Sequence, residues 1–378
     1  MYKPFLRVLR VHIDPQLKWT EHVAKIKADV QKVMNSFRRF SGSTWGASLH
    51  HMRRLYLTKV RPKITYACTA WFISAQHDRM RWEISRTLLD QLESLQYQCV
   101  VQISGALQKT SYEVLLKELY VEKITTVLQR LAVVERAQNL HSELEQLIAK
   151  QRPRSTKGTP KSSLAKHPYC WLKDDTTQFE QVCQNRLRAL HNPDKFNAIW
   201  HNPKEKTLAL KEYVKVMGEA TSELAWDSYR QRRDKNKRQP PALRENWGPQ
   251  SLALYAGLPR AHSTMLVHCR TGRIGLNAYL FTLNSKKSTI SETDLCPCLE
   301  GKHTVEHLFA HCKNLKRQRF ELAGRLGHTD LNTLLTRNAD VATNWAIRYF
   351  GIPQFEWVRK DLLLTQPTEL SFLLRSEG

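Results

Sequence analysis

The 378-residue chain reads as mainly α-helical: one N-terminal strand, a helical bundle, a helical middle region, and a small cysteine–histidine knuckle with a helical tail. Apolar residues recur at three- and four-residue steps over most of the first 150 positions. Strict alternation is confined to one short stretch, and three cysteines and a histidine crowd into positions 296–312.

The alternating stretch, Phe5 to Ile13, is rich in Leu, Val and Ile and is expected as a single strand, which needs a partner for its backbone groups. Trp19, Val23, Ile26, Val30, Val33 and Phe37 then form an apolar stripe, with Lys25, Lys27, Lys32 and Arg38 on the wet side. Ser41-Gly-Ser-Thr-Trp-Gly46 breaks the pattern, and Ser48 to Lys59 starts a second helix that Pro62 should kink or end. Further helices are expected from about Ile84 to Ile103 and from Ser111, in the capping-like Thr110-Ser-Tyr-Glu113. Ile124, Val127, Leu128, Leu131, Leu140, Leu144, Leu147 and Ile148 mark a long one up to Lys150. Gln151 to Ser163 offers nothing apolar to bury and is expected as a basic tether. Helices over Gln178 to His191 and Thr207 to Arg233 follow, the second ending in the charge run Arg230 to Arg238 before Pro240-Pro241. The resulting division is 1–104 strand and bundle, 105–150 helical connection, 151–166 linker, 167–290 basic helical region, 291–326 knuckle and 327–378 helical tail.

Charge narrows the partners. With 59 Lys and Arg against 35 Asp and Glu, the formal net charge is +24, far beyond what solubility requires, and polyanions are the natural partners. Nucleic acid is favoured over membrane, because no run of 18 apolar residues exists; Ile64 to Ile73 comes closest. Met1 to Arg10 lacks the apolar core and cleavage site of a secretory signal. The cysteines, apart from the last three, are spread too thinly for a disulfide framework, so a reducing interior is expected: the nucleus, with the cytoplasm as the alternative.

Cys296, Cys298, His307 and Cys312 have the donor chemistry of a tetrahedral zinc site. Cys296 and Cys298 can face a metal from a tight turn around Pro297, while Val305 to Cys312 reads as a helical turn presenting His307 and Cys312. His303 and His311 are spare candidates. Four protein ligands leave no open position for water, which favours a structural zinc over a hydrolytic one. Enzyme signatures are otherwise missing. There is no Gly-x4-Gly-Lys-Ser/Thr loop, and Gly272 to Gly275 is no dinucleotide fingerprint. Asp174-Asp175 reads as a helix N-cap, and Pro193-Asp194 with Glu205-Lys206 has the wrong offset for a nuclease.

Several pieces together resemble the end of a LINE-type (non-LTR) retrotransposon reverse transcriptase of the Tad-like or I-like branches. They are Leu9-Arg-Val-His-Ile-Asp14 with Leu17-Lys-Trp19 and His22, Ser43-Thr-Trp-Gly46, Tyr56 to Val60 with Arg61-Pro62, and Tyr66-Ala-Cys-Thr-Ala-Trp71. Ser104-Gly-Ala106, Thr110 to Tyr120, Arg270-Thr-Gly-Arg-Ile-Gly-Leu-Asn277 and the Cys, Cys, His, Cys order of the knuckle complete the set. The resemblance implies that the first piece is the last palm hairpin and that the next ones form a thumb-like bundle. It also implies that the polymerase aspartates would precede residue 1, so the chain matches only the C-terminal part of such a protein. The glycine expected between Leu9 and Val11 is Arg10, a mark of a decayed or repurposed copy, and no RNase H or endonuclease signature is present.

The expected activity is therefore RNA or DNA binding without catalysis. Arg53, Arg54, Lys59, Arg61 and Lys63 would grip a duplex backbone, Arg230, Arg232 and Arg233 would contact phosphate, and Arg270, Arg273, Lys302 and the knuckle would hold template RNA or target DNA. Trp45 and Trp71 read as core residues, with base stacking as the rival role, and His50 and His51 as surface residues. The alternatives are a truncated form of an RNA-directed DNA polymerase, a part of such a polymerase acting with a separate palm fragment, and a transposon relic with no selected role.

Overall fold

The computed structural model describes residues 5–72, 84–138, 188, 192–233, 239–285 and 288–364. Among these the protein is mainly α, and its one sheet is a two-stranded hairpin. The expected tether, Asp174-Asp175 and most of the Gln178 to His191 stretch lie outside the described residues, as do Leu140 to Lys150 and residues 234–238 of the charge run.

The N-terminal stretch differs from the single strand expected. Leu6–Val8 (β1) pairs antiparallel with Val11–Ile13 (β2), with Val8 opposite Val11. Leu9 and Arg10 turn the chain with φ of 45° and 71°, the pair of positive values that a tight hairpin turn demands. The strand thus finds its partner in itself. The residues that follow knot the hairpin to the first helix. Asp14 accepts backbone N–H bonds from Gln16, Lys18 and Trp19 at 3.0, 3.0 and 2.8 Å. His22 accepts from the His12 N–H at 3.4 Å and meets the Trp71 ring edge-on. Burial, with His12 adding to it, lowers the His22 pKa to about 4, so its ring stays a neutral acceptor.

The expected first helix spans Thr20–Phe37 and buries Val23, Ile26, Val30 and Phe37, with Met34 taking the place at the seam that Val33 was expected to hold. Pro62 neither ends nor simply kinks the next helix. Leu49–Leu55 runs into a widened π segment, Tyr56–Val60, and then Arg61–Thr65. The extra residue per turn accommodates a proline that supplies no N–H and whose ring would clash with the carbonyl four residues back.

The described chain divides into two compact units whose segments interleave: residues 1–32, 59–96 and 122–225 in one, 33–58, 97–121 and 226–378 in the other. In the first, Gln96 is fully buried and caps a helix start, its amide oxygen accepting from Ile124 N–H at 2.6 Å while its NH2 donates to the Glu122 carbonyl at 2.9 Å. The second is built around the helix Arg260–Thr271, buried on nearly every face. Arg260 donates to the carbonyls of Gly42, Ile103 and Gln102 at 2.9, 2.6 and 3.2 Å. Thr264 donates to Ser43 O, and a His268 ring nitrogen lies 3.0 Å from Gly105 O. Polar side chains of one helix thus satisfy the backbone of the Gly42–Ser43 loop and of the C-terminal end of the helix Arg86–Ser104.

Candidate metal centre

The segment that follows the Arg260–Thr271 helix anchors the knuckle. Asn277 donates its side-chain amide to Leu295 O at 2.9 Å and its backbone N–H to His303 Nδ1 at 3.2 Å. Ala278 N–H adds a bond to His303 O at 3.3 Å. The Arg270-to-Asn277 segment is therefore stitched directly to the knuckle. His303 is occupied as this acceptor, and burial, reinforced by His307, lowers its pKa to about 4.

A backbone bond from Cys296 N–H to Gly301 O (2.8 Å) and one from Leu299 N–H to Cys296 O (2.8 Å) close a tight turn, with Leu299 at φ 64°. The turn sets the Cys296 and Cys298 thiols on one side. Gly301 has a steric reason to be glycine: a Cβ there would lie 3.0 Å from His307 Nδ1.

The second half departs from a plain helical turn. Five residues of α-helix rotate by about 500°, which would leave His307 and Cys312 roughly 140° apart. The segment His307–His311 is instead a π turn, closed by Cys312 N–H to His307 O at 2.7 Å, and the wider turn brings residue 312 back beneath residue 307. The four donors converge. Cys296 Sγ lies 3.7 Å from Cys312 Sγ, Cys298 Sγ lies 3.1 Å from His307 Nε2, and all four ligand atoms fall within 4.8 Å of one another. All four residues are buried, and together they can hold a metal ion. His311 is exposed and His303 faces Asn277, so the donor set is Cys296, Cys298, His307 and Cys312.

The knuckle rests on an aromatic floor. Phe309 stacks on Trp345 at 4.9 Å and meets Phe350 at 5.3 Å, all three buried. Arg319 donates to Cys312 O, and Trp345 Nε1 donates to Gln318 O at 3.2 Å.

A buried ionic cluster lies in the same unit. Arg270, with no exposed surface, donates from Nε to Glu118 Oε2 at 2.7 Å and from one NH2 to Glu118 Oε1 at 3.0 Å and to Glu245 Oε2 at 2.6 Å. Lys117 reaches Glu118 at 3.1 Å and Glu245 at 2.6 Å, and Tyr255 donates its hydroxyl to Glu118 at 2.5 Å. Burial alone would raise the Glu118 pKa, but Arg270 and Lys117 outweigh it and hold the carboxyl down at about 2. Two cations and two anions close on each other, three of them fully buried and Glu245 partly open to solvent.

This corrects the expectation that Arg270 faces nucleic acid: it is a core residue, and its charge is spent on Glu118 and Glu245. Arg53 is also engaged, donating to the Leu119 and Tyr120 carbonyls at 2.6 and 2.8 Å. Arg54, Lys59 and Lys63 are exposed, and Arg61 is half-buried. Arg230 bonds Asn246 Oδ1 at 2.8 Å, Arg232 is exposed, and Arg233 lies over the Tyr229 ring. Arg273 lies over the Tyr279 ring at 5.1 Å, and Lys302, largely exposed, pairs with Asp294 at 2.9 Å. Trp71 is fully buried with its Nε1 on Tyr66 O, whereas Trp45 is exposed. Sequence reading missed Lys117, Glu118, Glu245 and Tyr255. The one available signal was Glu118 closing the apolar run Val114-Leu-Leu116.

Comparison with protein-family models, with curated proteins and with solved structures finds no match to this chain. No helix among the described residues is long and apolar enough to cross a membrane.

Proposed function

We propose that the chain binds RNA or DNA without catalysing a reaction on it, as the thumb, connection and zinc knuckle of a LINE-type retrotransposon protein would. The observation that carries this reading is the closed cage of three thiols and an imidazole in a chain whose charge cannot be neutralised internally. Even complete pairing of its 35 carboxylates would leave a surplus of 24 cations. Such a surplus is what phosphate backbones recruit, through counterion release.

Zinc is the metal that the donors favour, since thiolate and imidazole suit it and exclude calcium and magnesium. Zn–S bonds of about 2.3 Å in a tetrahedron place two sulfurs about 3.8 Å apart, close to the 3.7 Å between Cys296 and Cys312. When bound, the ion would supply a rigid cross-link rather than a Lewis acid, because four protein donors leave no open position. Asn277, His303 and the Phe309–Trp345 stack then fix the knuckle in the unit around it.

The test is metal stoichiometry of the full chain together with the salt dependence of its binding to structured RNA, for wild type and Cys298→Ser. One zinc per chain, with RNA discrimination at moderate salt that falls in the variant, is the expected result. No metal, with binding that is purely salt-driven and identical in both proteins, would overturn the reading.

A second reading, action with a separate catalytic palm fragment of an RNA-directed DNA polymerase, draws on the hairpin. Leu6, Val8 and Leu9 are exposed on it, at 65%, 43% and 83%, an apolar edge that a larger sheet would cover. Primer extension on mixing the two fragments, absent with either alone, would support it.

A further inference from the structure

A cavity of about 430 Å³ opens beside the knuckle, within the same unit. It lies in the range of about 300–1,000 Å³ usual for small-ligand sites. Among the described residues four cations line it: Lys109, Arg233, Arg244 and Arg273. Glu306 is the one carboxylate among its described lining residues, and among the described residues none of the four cations has an ion-pair partner. Like charges gathered round one space repel, and an anion in that space relieves the repulsion.

Two of the cations are mounted on aromatic rings. The Arg273 guanidinium lies 5.1 Å from the centre of the Tyr279 ring, and that of Arg233 lies 5.9 Å from Tyr229, both tyrosines lining the cavity. Flat guanidinium and phenol surfaces are what unstacked bases pack on, and the same arginines can fork onto phosphate.

The mounting of Arg273 follows from the fold. Arg270 is locked in the ionic cluster, Gly272 ends the helix at φ 70°, and Arg273 emerges just past that turn. A Cβ at Gly272 would press on Pro240, another lining residue, at 3.3 Å. His303 to Glu306, the strip that Asn277 ties to the metal centre, also line it. Knuckle and cavity are thus mechanically joined.

We propose that this cavity receives one nucleotide of a single-stranded stretch of the bound nucleic acid, its phosphate held by the arginines and its base laid against a tyrosine–arginine pair. A concave space of this size admits a splayed-out base and not a duplex. The proposal rests on the nucleic-acid-binding reading and sharpens it to a strand preference.

The test measures binding of the full chain to a single-stranded RNA and to the same sequence as a duplex at moderate salt, with adenosine monophosphate as competitor. The cavity variant R233Q/R273Q is compared with K316Q/R325Q, which removes the same charge from exposed residues outside the cavity. Loss of a stacked base and its phosphate is expected to weaken single-strand binding by about tenfold more in the cavity variant than in the control. Duplex binding should fall alike in both. A third protein, R233K/R273K, keeps the charge and guards against misfolding: it should retain duplex binding and lose the single-strand preference. Equal loss of single-strand binding in the cavity and control variants overturns the proposal, as does an unchanged preference in the lysine variant. Displacement by adenosine monophosphate at strand-like concentrations would assign the cavity to a free nucleotide and overturn the strand assignment. Failure of the wild type to bind any nucleic acid would instead remove the proposed function itself.

Discussion

Two polar centres hold the second unit together, and they do so by opposite means. The knuckle draws its four donors from positions 296–312 and offers them to a metal ion. The ionic cluster draws Lys117, Glu118, Glu245, Tyr255 and Arg270 from four separate places in the chain and offers them to one another. The first can form locally once its turn and π segment are made. The second requires that the helix Tyr112–Glu118, the loop at Glu245 and the helix Arg260–Thr271 be already in place. Local closure with an external ligand makes a separable module, whereas distant closure without one makes a keystone of the unit.

That contrast has a direct mutational consequence, and it carries the largest effect expected. Glu118→Ala leaves the fully buried Arg270 and Lys117 facing each other with only Glu245 to share, and an uncompensated buried charge costs about 3–5 kcal/mol. The denaturant midpoint of the whole unit should fall accordingly, with metal content unchanged in the protein that remains folded. Cys298→Ser should do the reverse. Metal stoichiometry falls and proteolysis opens within residues 294–312, while the main unfolding transition moves little. A Cys298→Ser protein that unfolded as a whole, or a Glu118→Ala protein of wild-type stability, would erase the distinction.

Acid separates the centres again, by a smaller amount. The Glu118 carboxyl titrates at about 2 in the folded protein against an ordinary 4.5. A depressed carboxylate contributes stability that is fully present above the ordinary value and is lost as the pH falls through the folded one. At about 1.4 kcal/mol per unit, the contribution is ~3 kcal/mol, fading between about pH 4.5 and pH 2. Urea midpoints of wild type and Glu118→Gln should therefore converge across that window. Parallel curves would mean that Glu118 is not the titrating group.

The same difference in reach explains what the sequence made legible. Helices were readable where their stripes were local, as from Val23 to Phe37, and the knuckle was readable because thiols and an imidazole at short spacing have few other uses. Arg270 was singled out for its charge, and its burial was invisible because its partners lie 25 and 152 positions away. Nothing in a basic side chain announces whether it faces phosphate or a distant carboxylate. The N-terminal alternation predicted one strand where the resemblance implied a hairpin, for a different reason: Leu9 and Arg10 adopt a turn that normally selects glycine or asparagine, so its usual signal was missing. The π segments at Tyr56–Val60 and His307–His311 have no compositional signature and follow from Pro62 and from the cage.

The smallest effect lies inside the knuckle and tests whether its closure is as local as its sequence span suggests. Leu299 follows the second cysteine with φ 64°, a left-handed conformation that costs a residue with a Cβ about 1–2 kcal/mol. Its side chain is 76% exposed, so little packing is lost with it. Glycine removes the steric cost but adds about 0.5–1 kcal/mol of freedom to the open chain. Leu299→Gly should therefore tighten metal binding by up to about fivefold, a gain below ~1 kcal/mol. It should leave the urea midpoint of the ionic cluster's unit where it was. Metal affinity that falls in this variant would show that the leucine orders the turn before the ion arrives, and that the knuckle closes on more than its four donors.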